Sequence, residues 1–333
     1  MKHSALSVLG CPRCFGRLTI GSDESDVQEG TLLCDRDGIR FPVRGGVAEL
    51  VRPDRVSQLN SFSDSYGEAW ERANRAWFDP TQLLALPYVP RFSQNRAVWR
   101  VKARSMEALL RFLERRSPKR VLDLGSGNGW LSSHLARQGY ETYSVDAINR
   151  SDKGLVASEA FVRNGPYFER ARGEIEFPPF QDGVFDVVVC NASLHYTDSL
   201  KDDFVQGSRI LASGGAFVVM NSPVHDDPDS AARAQEDARN RLIRSGTSPS
   251  VANKYHHYTV EELRDAFRAT FDSYDEIRWD PGIVFRVLRR AKAEALGIEL
   301  ARFPIFYGKK SASDRDGRGL SGKGPIDRSN HRT

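Results

Sequence analysis

The stretch Leu122-Asp-Leu-Gly-Ser-Gly-Asn-Gly-Trp130 runs from a short apolar segment, opened by Val121, directly into a turn with glycine at 125, 127 and 129. Glycines at such a turn let the backbone bend sharply and approach a ligand at a helix N-terminus, and Trp-Leu-Ser-Ser-His-Leu-Ala-Arg at 130–137 reads as that helix. The dinucleotide pattern G-x-G-x-x-G would need a third glycine at position 130. Trp130 stands there, so the NAD reading loses its main support.

Outward from this turn the chain alternates. The strand ETYSVDA (141–147) ends on Asp146, 23 residues after Asp123, where an acid can accept hydrogen bonds from both hydroxyls of a ribose. An apolar strand (FDVVVCNA, 185–192), a helix (DDFVQGSRIL, 202–211) and another strand (GAFVVMNS, 215–222) follow. Upstream, Met106, Leu109, Leu110 and Leu113 share one helical face, broken by Ser117 and Pro118. Strands alternating with helices predict an α/β fold with a doubly wound, mostly parallel sheet. Later, a polar helix is expected around 228–245, Thr259 and Glu262 form a capping-box pattern, and late strands within 271–280 and 301–310 flank a helix.

VLDLGSGNG together with Asp146 resembles the class I methyltransferases that use S-adenosylmethionine (SAM). The similarity continues through GEIEFPPFQDGVFDVVVCNASLHY (173–196) and RILASGGAFVVMNSP (209–223), covering about residues 119–223. It implies a seven-stranded sheet. It also implies a cofactor site in which Asp123, Gly125, Gly127 and Gly129 face the methionine end of SAM, Asp146 the ribose, and Glu174 with Ile175 the adenine. Asn191 stands at the end of the fourth strand. The family more often has Asp where this chain has Glu174.

SAM carries a sulfonium leaving group, so transfer needs alignment of an acceptor and, for O or N acceptors, removal of a proton. His195, at the end of the fourth strand, is the best-placed base, and His225 is a second candidate. Tyr255-His256-His257-Tyr258 would line an acceptor pocket from a lid, and Tyr66 and Trp70 would fold over the cofactor. Where enzymes that methylate base amino groups are similar to one another in carrying (D/N)PP(Y/F), this chain reads Asn191-Ala-Ser-Leu194, which disfavours that subclass.

The first 51 residues read as a small β ribbon. Cys11-x-x-Cys14 is half of a tetrahedral zinc site, Cys34 fits a second knuckle, and Asp37 holds the position where a second C-x-x-C would end. CPRCFGRL and FPVRGGVAEL resemble the small zinc ribbons that activate tRNA and protein methyltransferases. One structural zinc on Cys11, Cys14, Cys34 and Asp37 and a degenerate ribbon without metal both stand open.

The expected organisation is a ribbon (1–51), a helical lead-in rich in aromatics (52–118), the SAM-binding domain (119–309) and a disordered tail (310–333). The 333-residue chain is 40% hydrophobic and 28% charged, as expected for a globular protein. No apolar run is long enough for a membrane span or a secretory signal, and the cysteines suit a reducing compartment, so a cytoplasmic protein is expected. The net charge of +4 arises in residues 309–333, which leaves the body formally neutral. That balance favours a small-molecule acceptor. The rivals are an RNA methyltransferase that docks its substrate through the ribbon, and a non-catalytic SAM-binding scaffold whose ribbon holds a protein partner.

Overall fold

A computed structural model of the chain describes residues 1–73, 80–89, 96–150, 154–296 and 300–312. The ribbon is an antiparallel meander of β1 (Leu18–Ile20), β2 (Gly30–Cys34), β3 (Arg40–Arg44) and β4 (Val47–Glu49). The lead-in comprises α1 (Val56–Ala73), α2 (Pro80–Leu84) and α3 (Arg96–Arg116). Then come β5 (Arg120–Leu124), α4 (Trp130–Arg137), β6 (Glu141–Asp146), β7 (Asn149–Arg150), α5 (Gly154–Ala157), α6 (Glu159–Asn164), β8 (Glu169–Arg172) and β9 (Phe185–Asn191). The last third holds α7 (Leu200–Ile210), β10 (Leu211–Met220), β11 (Val224–His225), α8 (Pro228–Arg244), α9 (Pro249–Ala252), β12 (Tyr258–Thr259), α10 (Val260–Thr270), β13 (Ser273–Glu276), α11 (Ile283–Leu296) and β14 (Phe306–Lys309).

Seven strands in the order β8-β6-β5-β9-β10-β14-β13 form the doubly wound sheet, all parallel except β14, which is antiparallel to both neighbours. The chain moves outward through β5, β6 and β8, then returns to pair β9 on the other side of β5. The crevice at that reversal is where such sheets bind ligands. β9 shows why the strands read as continuous apolar runs. Val187 and Val189 enter the core beneath α3 and α4, while Val188 and Cys190 enter the core on the opposite face with Phe204 and Phe217.

The ribbon is not a detached appendage. β4 pairs in parallel with the edge strand β8, Ala48 opposite Ala171 and Glu49 opposite Arg172, so the sheet runs to eleven strands. A second seam lies at Leu9 and Phe180, which form a bridge, and the Gln181 side chain donates to the carbonyls of Leu6 and Leu9. Arg209 of α7 lies 3.6 Å above the Phe15 ring. The expected capping box is present: Glu262 N–H donates to Thr259 Oγ1 at 3.1 Å and Thr259 N–H to Glu262 Oε2 at 2.7 Å. Among the described residues no helix is long and apolar enough to cross a membrane. The side chains of Tyr66 and Trp70, and the tail beyond residue 312, lie outside the described residues.

Helix α7 approaches the sheet so closely that a Cβ on Gly207 would lie 2.4 Å from the Phe217 ring. Alanine ordinarily favours a helix over glycine by about 1 kcal/mol. Here the overlap with a buried ring dominates, and Gly207→Ala is expected to lower stability by about 1–3 kcal/mol in urea unfolding. A stabilised variant would contradict this packing.

Candidate functional site

The carboxyl ends of β5, β6, β8 and β9 open into one cavity of about 590 Å³, inside the range of roughly 300–1,000 Å³ common for small-ligand sites. Its floor is the glycine turn. Gly125 has φ +78°, and a Cβ there would fall 2.3 Å from Ser193 Cβ at the end of β9. Only glycine fits both the conformation and the contact. Gly127 also has positive φ, but no atom lies within 4 Å of where its Cβ would stand, so its open side is the cavity. Gly129 starts α4, pressed against Ser158 and Phe168.

Asp146 straps this floor to the next loop. Gly127 N–H donates to its Oδ2 at 2.7 Å and Ile148 N–H to its Oδ1 at 2.8 Å. It lines the cavity, and burial raises its pKa. Asp123 sits under the turn and is not part of the cavity wall. It accepts from Ser132 Oγ at 2.7 Å, its Oδ1 has no partner among the described residues, and burial pushes its pKa up to about 7. The buried Ser126 hydroxyl lines the cavity and is likewise without a partner.

On the β8 side, Glu174 and Ile175 both line the cavity. Arg55, just ahead of α1, donates from Nε and Nη2 to Glu174 Oε1 at 2.9 and 2.6 Å. Glu176 lines the same wall, with its pKa raised by burial. On the β9 side, Asn191 Oδ1 accepts from Asn221 Nδ2 at 2.8 Å, and Asn221 Oδ1 accepts from Ser105 Oγ at 3.0 Å. This chain ties the ends of β9 and β10 to α3.

The histidines are placed differently from expectation. His195 is buried but does not reach the cavity wall. Its ring packs against Tyr196 and Tyr255 with centroids 4.4 and 4.8 Å away, and burial holds its pKa down to about 3. His225 is also off the wall, hydrogen-bonded to His257 at 2.9 Å where β11 pairs with β12. The run Tyr255–Tyr258 packs over residues 195–197, with Tyr258 donating to the Thr197 carbonyl at 3.0 Å, and supplies no residue to the wall. Its neighbour Lys254 does line it, paired with Asp198 at 3.2 Å.

Arg55, Glu176 and Lys102 are wall residues that the sequence reading passed over. Lys102 alone had a signal, being a lysine within the buried α3 stripe of Trp99, Met106, Leu109 and Leu113.

In the ribbon, one donor atom from each of Cys11, Cys14, Cys34 and Asp37 lies within 4.8 Å of all the others. Cys14 Sγ is 3.5 Å from Cys34 Sγ and Cys11 Sγ is 3.8 Å from Asp37 Oδ2. Zinc–sulfur bonds of about 2.3 Å in a tetrahedron give edges near 3.8 Å, so the four donors fit a zinc ion.

Comparison with known proteins finds a match for each of two segments. Residues 96–270 match the methyltransferase domain family model, and residues 2–46 match the Trm112p-like protein model. A malonyl-[acyl-carrier protein] O-methyltransferase of Geobacter sulfurreducens is 29% identical over 235 residues, 67% of this chain and 79% of that protein. The uncharacterized methyltransferase YcgJ of Bacillus subtilis is 25% identical over 144 residues, and there the match spans little more than half of the relative, 56%. The crystal structure of YcgJ aligns with a TM-score of 0.46 at 20% identity, covering 62% of this chain and 98% of that one. With more than half of its length matched by the family model and the seven-stranded sheet in place, the chain belongs to the methyltransferase domain family and is a SAM-dependent methyltransferase with a Trm112p-like ribbon at its start.

Proposed function

We propose that this enzyme transfers the methyl group of SAM to a small organic acceptor held in the same cavity. The observation that carries this reading is the continuity of the site. The space that begins at Gly125, Gly127 and Asp146 continues to Phe62 of α1 and Trp99 of α3, so one cavity offers room for the methyl donor and its acceptor. A malonyl-thioester methyltransferase among the relatives supports a compact acceptor, free or carrier-linked.

SAM supplies the electrophilic methyl carbon; the residues supply orientation. Asp146 accepts from the ribose hydroxyls. The Gly125–Gly129 backbone and the free Ser126 hydroxyl face the methionine end, with Asp123 bracing the turn from below through Ser132. Glu174, held by Arg55, and Ile175 border the adenine, and Asn191 closes the methyl end of the pocket. This reading recruits neither His195 nor His225 as a base. The ribbon, residues 1–51, serves as an edge cover for the catalytic unit at 119–309, with 52–118 forming its roof, and it holds one structural zinc through Cys11, Cys14, Cys34 and Asp37.

Incubation with methyl-labelled SAM and a cell lysate is expected to place label in the small-molecule or carrier-bound fraction. Label recovered in RNA would overturn the acceptor assignment, and no turnover on any fraction would favour a scaffold. Asp146→Asn puts an amide N–H against a backbone N–H and removes an acceptor for the ribose. Loss of a charge-assisted hydrogen bond implies a Kd for S-adenosylhomocysteine raised about tenfold to a hundredfold in calorimetry. Elemental analysis should find about one zinc per chain, lost in Cys14→Ser together with a lowered melting temperature. Metal-free wild-type protein would defeat the zinc assignment.

A further inference from the structure

The cavity is electrically lopsided. Its acids, Asp146, Glu174 and Glu176, stand on the β6 and β8 side. Of its cations, Arg55 is paired with Glu174 and Lys254 with Asp198. Lys102 comes from the opposite side. It is one helical turn before Ser105, whose hydroxyl is bonded to Asn221 at the end of β10, and it lines the cavity together with Asn191 and Trp130. Its ammonium lies 4.6 Å above the Trp99 ring, and no carboxylate among the described residues pairs with it. Lys102 is half-buried and lines the cavity, and desolvation draws its pKa down to about 8.

A half-buried cation with no partner among the described residues is costly, and an anion entering the cavity relieves that cost. We propose that Lys102 is the carboxylate-receiving group of this cavity. A carboxylate brought by the ligands completes the ion pair that the protein leaves open, with the Trp99 ring holding the ammonium in place. This inference rests on the cavity being the SAM and acceptor site. Two ligands can bring the carboxylate: the amino-acid end of SAM, or an acid acceptor. For an acid acceptor the transfer balances without a base. The carboxylate oxygen forms a bond to the methyl carbon, the carbon–sulfur bond breaks with its electron pair passing to sulfur, and a neutral ester and a neutral thioether result. No proton is released, in keeping with a wall that neither His195 nor His225 reaches.

The test titrates the full chain and its Lys102→Met and Lys102→Arg variants with three probes. These are S-adenosylhomocysteine, 5′-methylthioadenosine (an adenosyl thioether without the amino-acid carboxylate), and malonate added to protein saturated with S-adenosylhomocysteine. Lys102→Met is expected to weaken a carboxylate-bearing probe at least tenfold while methylthioadenosine binds as before, and Lys102→Arg to restore most of the loss. Loss on S-adenosylhomocysteine assigns the carboxylate to the cofactor; loss on malonate assigns it to the acceptor. Unchanged binding of both overturns the proposal, and so does an equal loss on methylthioadenosine, which would mark a structural role. If the unaltered chain binds neither adenosyl probe, the cofactor reading itself fails, and this inference with it.

Discussion

Everything at this site depends on the backbone of Gly125 passing within touching distance of Ser193. Two strands adjacent in the sheet, β5 and β9, end at the same level, and the turn that leaves one must cross the mouth of the other. A side chain at position 125 would push the turn outward and with it Gly127, whose N–H is fixed on Asp146. The crevice therefore has a defined floor because one residue has no Cβ. Ser193 answers the contact by donating its hydroxyl to the Leu124 carbonyl at 2.8 Å, which locks the two strand ends together.

The roof is made by parts of the chain with no such obligation. Arg55, Phe62, Trp99 and Lys102 come from the lead-in helices, and the Asn191–Asn221–Ser105 chain joins that roof to the sheet. Asn191 accepts from Asn221, which accepts from Ser105, and this linkage gives the cavity a polar edge at the end of β9.

Most of the frame was legible because its signals are local. The strand of 120–124, its glycine turn and Asp146 obey short-range patterns, and the capping box at Thr259 is a four-residue signature. β8 was not legible. Glu169–Arg172 carries charge at three of four positions, and its place between β6 and β4 goes with partners outside the strand: Arg170 pairs with Glu159 and Arg172 with Glu49. The same holds for Arg55 on Glu174, a contact across 119 residues. The placement of the histidines was illegible for a different reason. Position in sequence placed them at a strand end but could not say which way the rings turn, and aromatic neighbours draw His195 into the core while His257 holds His225.

The pairing of β4 with β8 bears on the order in which the molecule is made. The ribbon leaves the ribosome before the sheet it joins, since the strand that covers its inner edge, at Ala171, is synthesised about 120 residues after Ala48. During that interval β4 is an open edge, able to zip onto any exposed strand nearby. The donors of the cysteine cluster all lie between residues 11 and 37, so a metal captured there would close the ribbon using contacts already synthesised. Such a closure would need nothing from the sheet at Ala171, because every donor of the cluster precedes β3 in the chain.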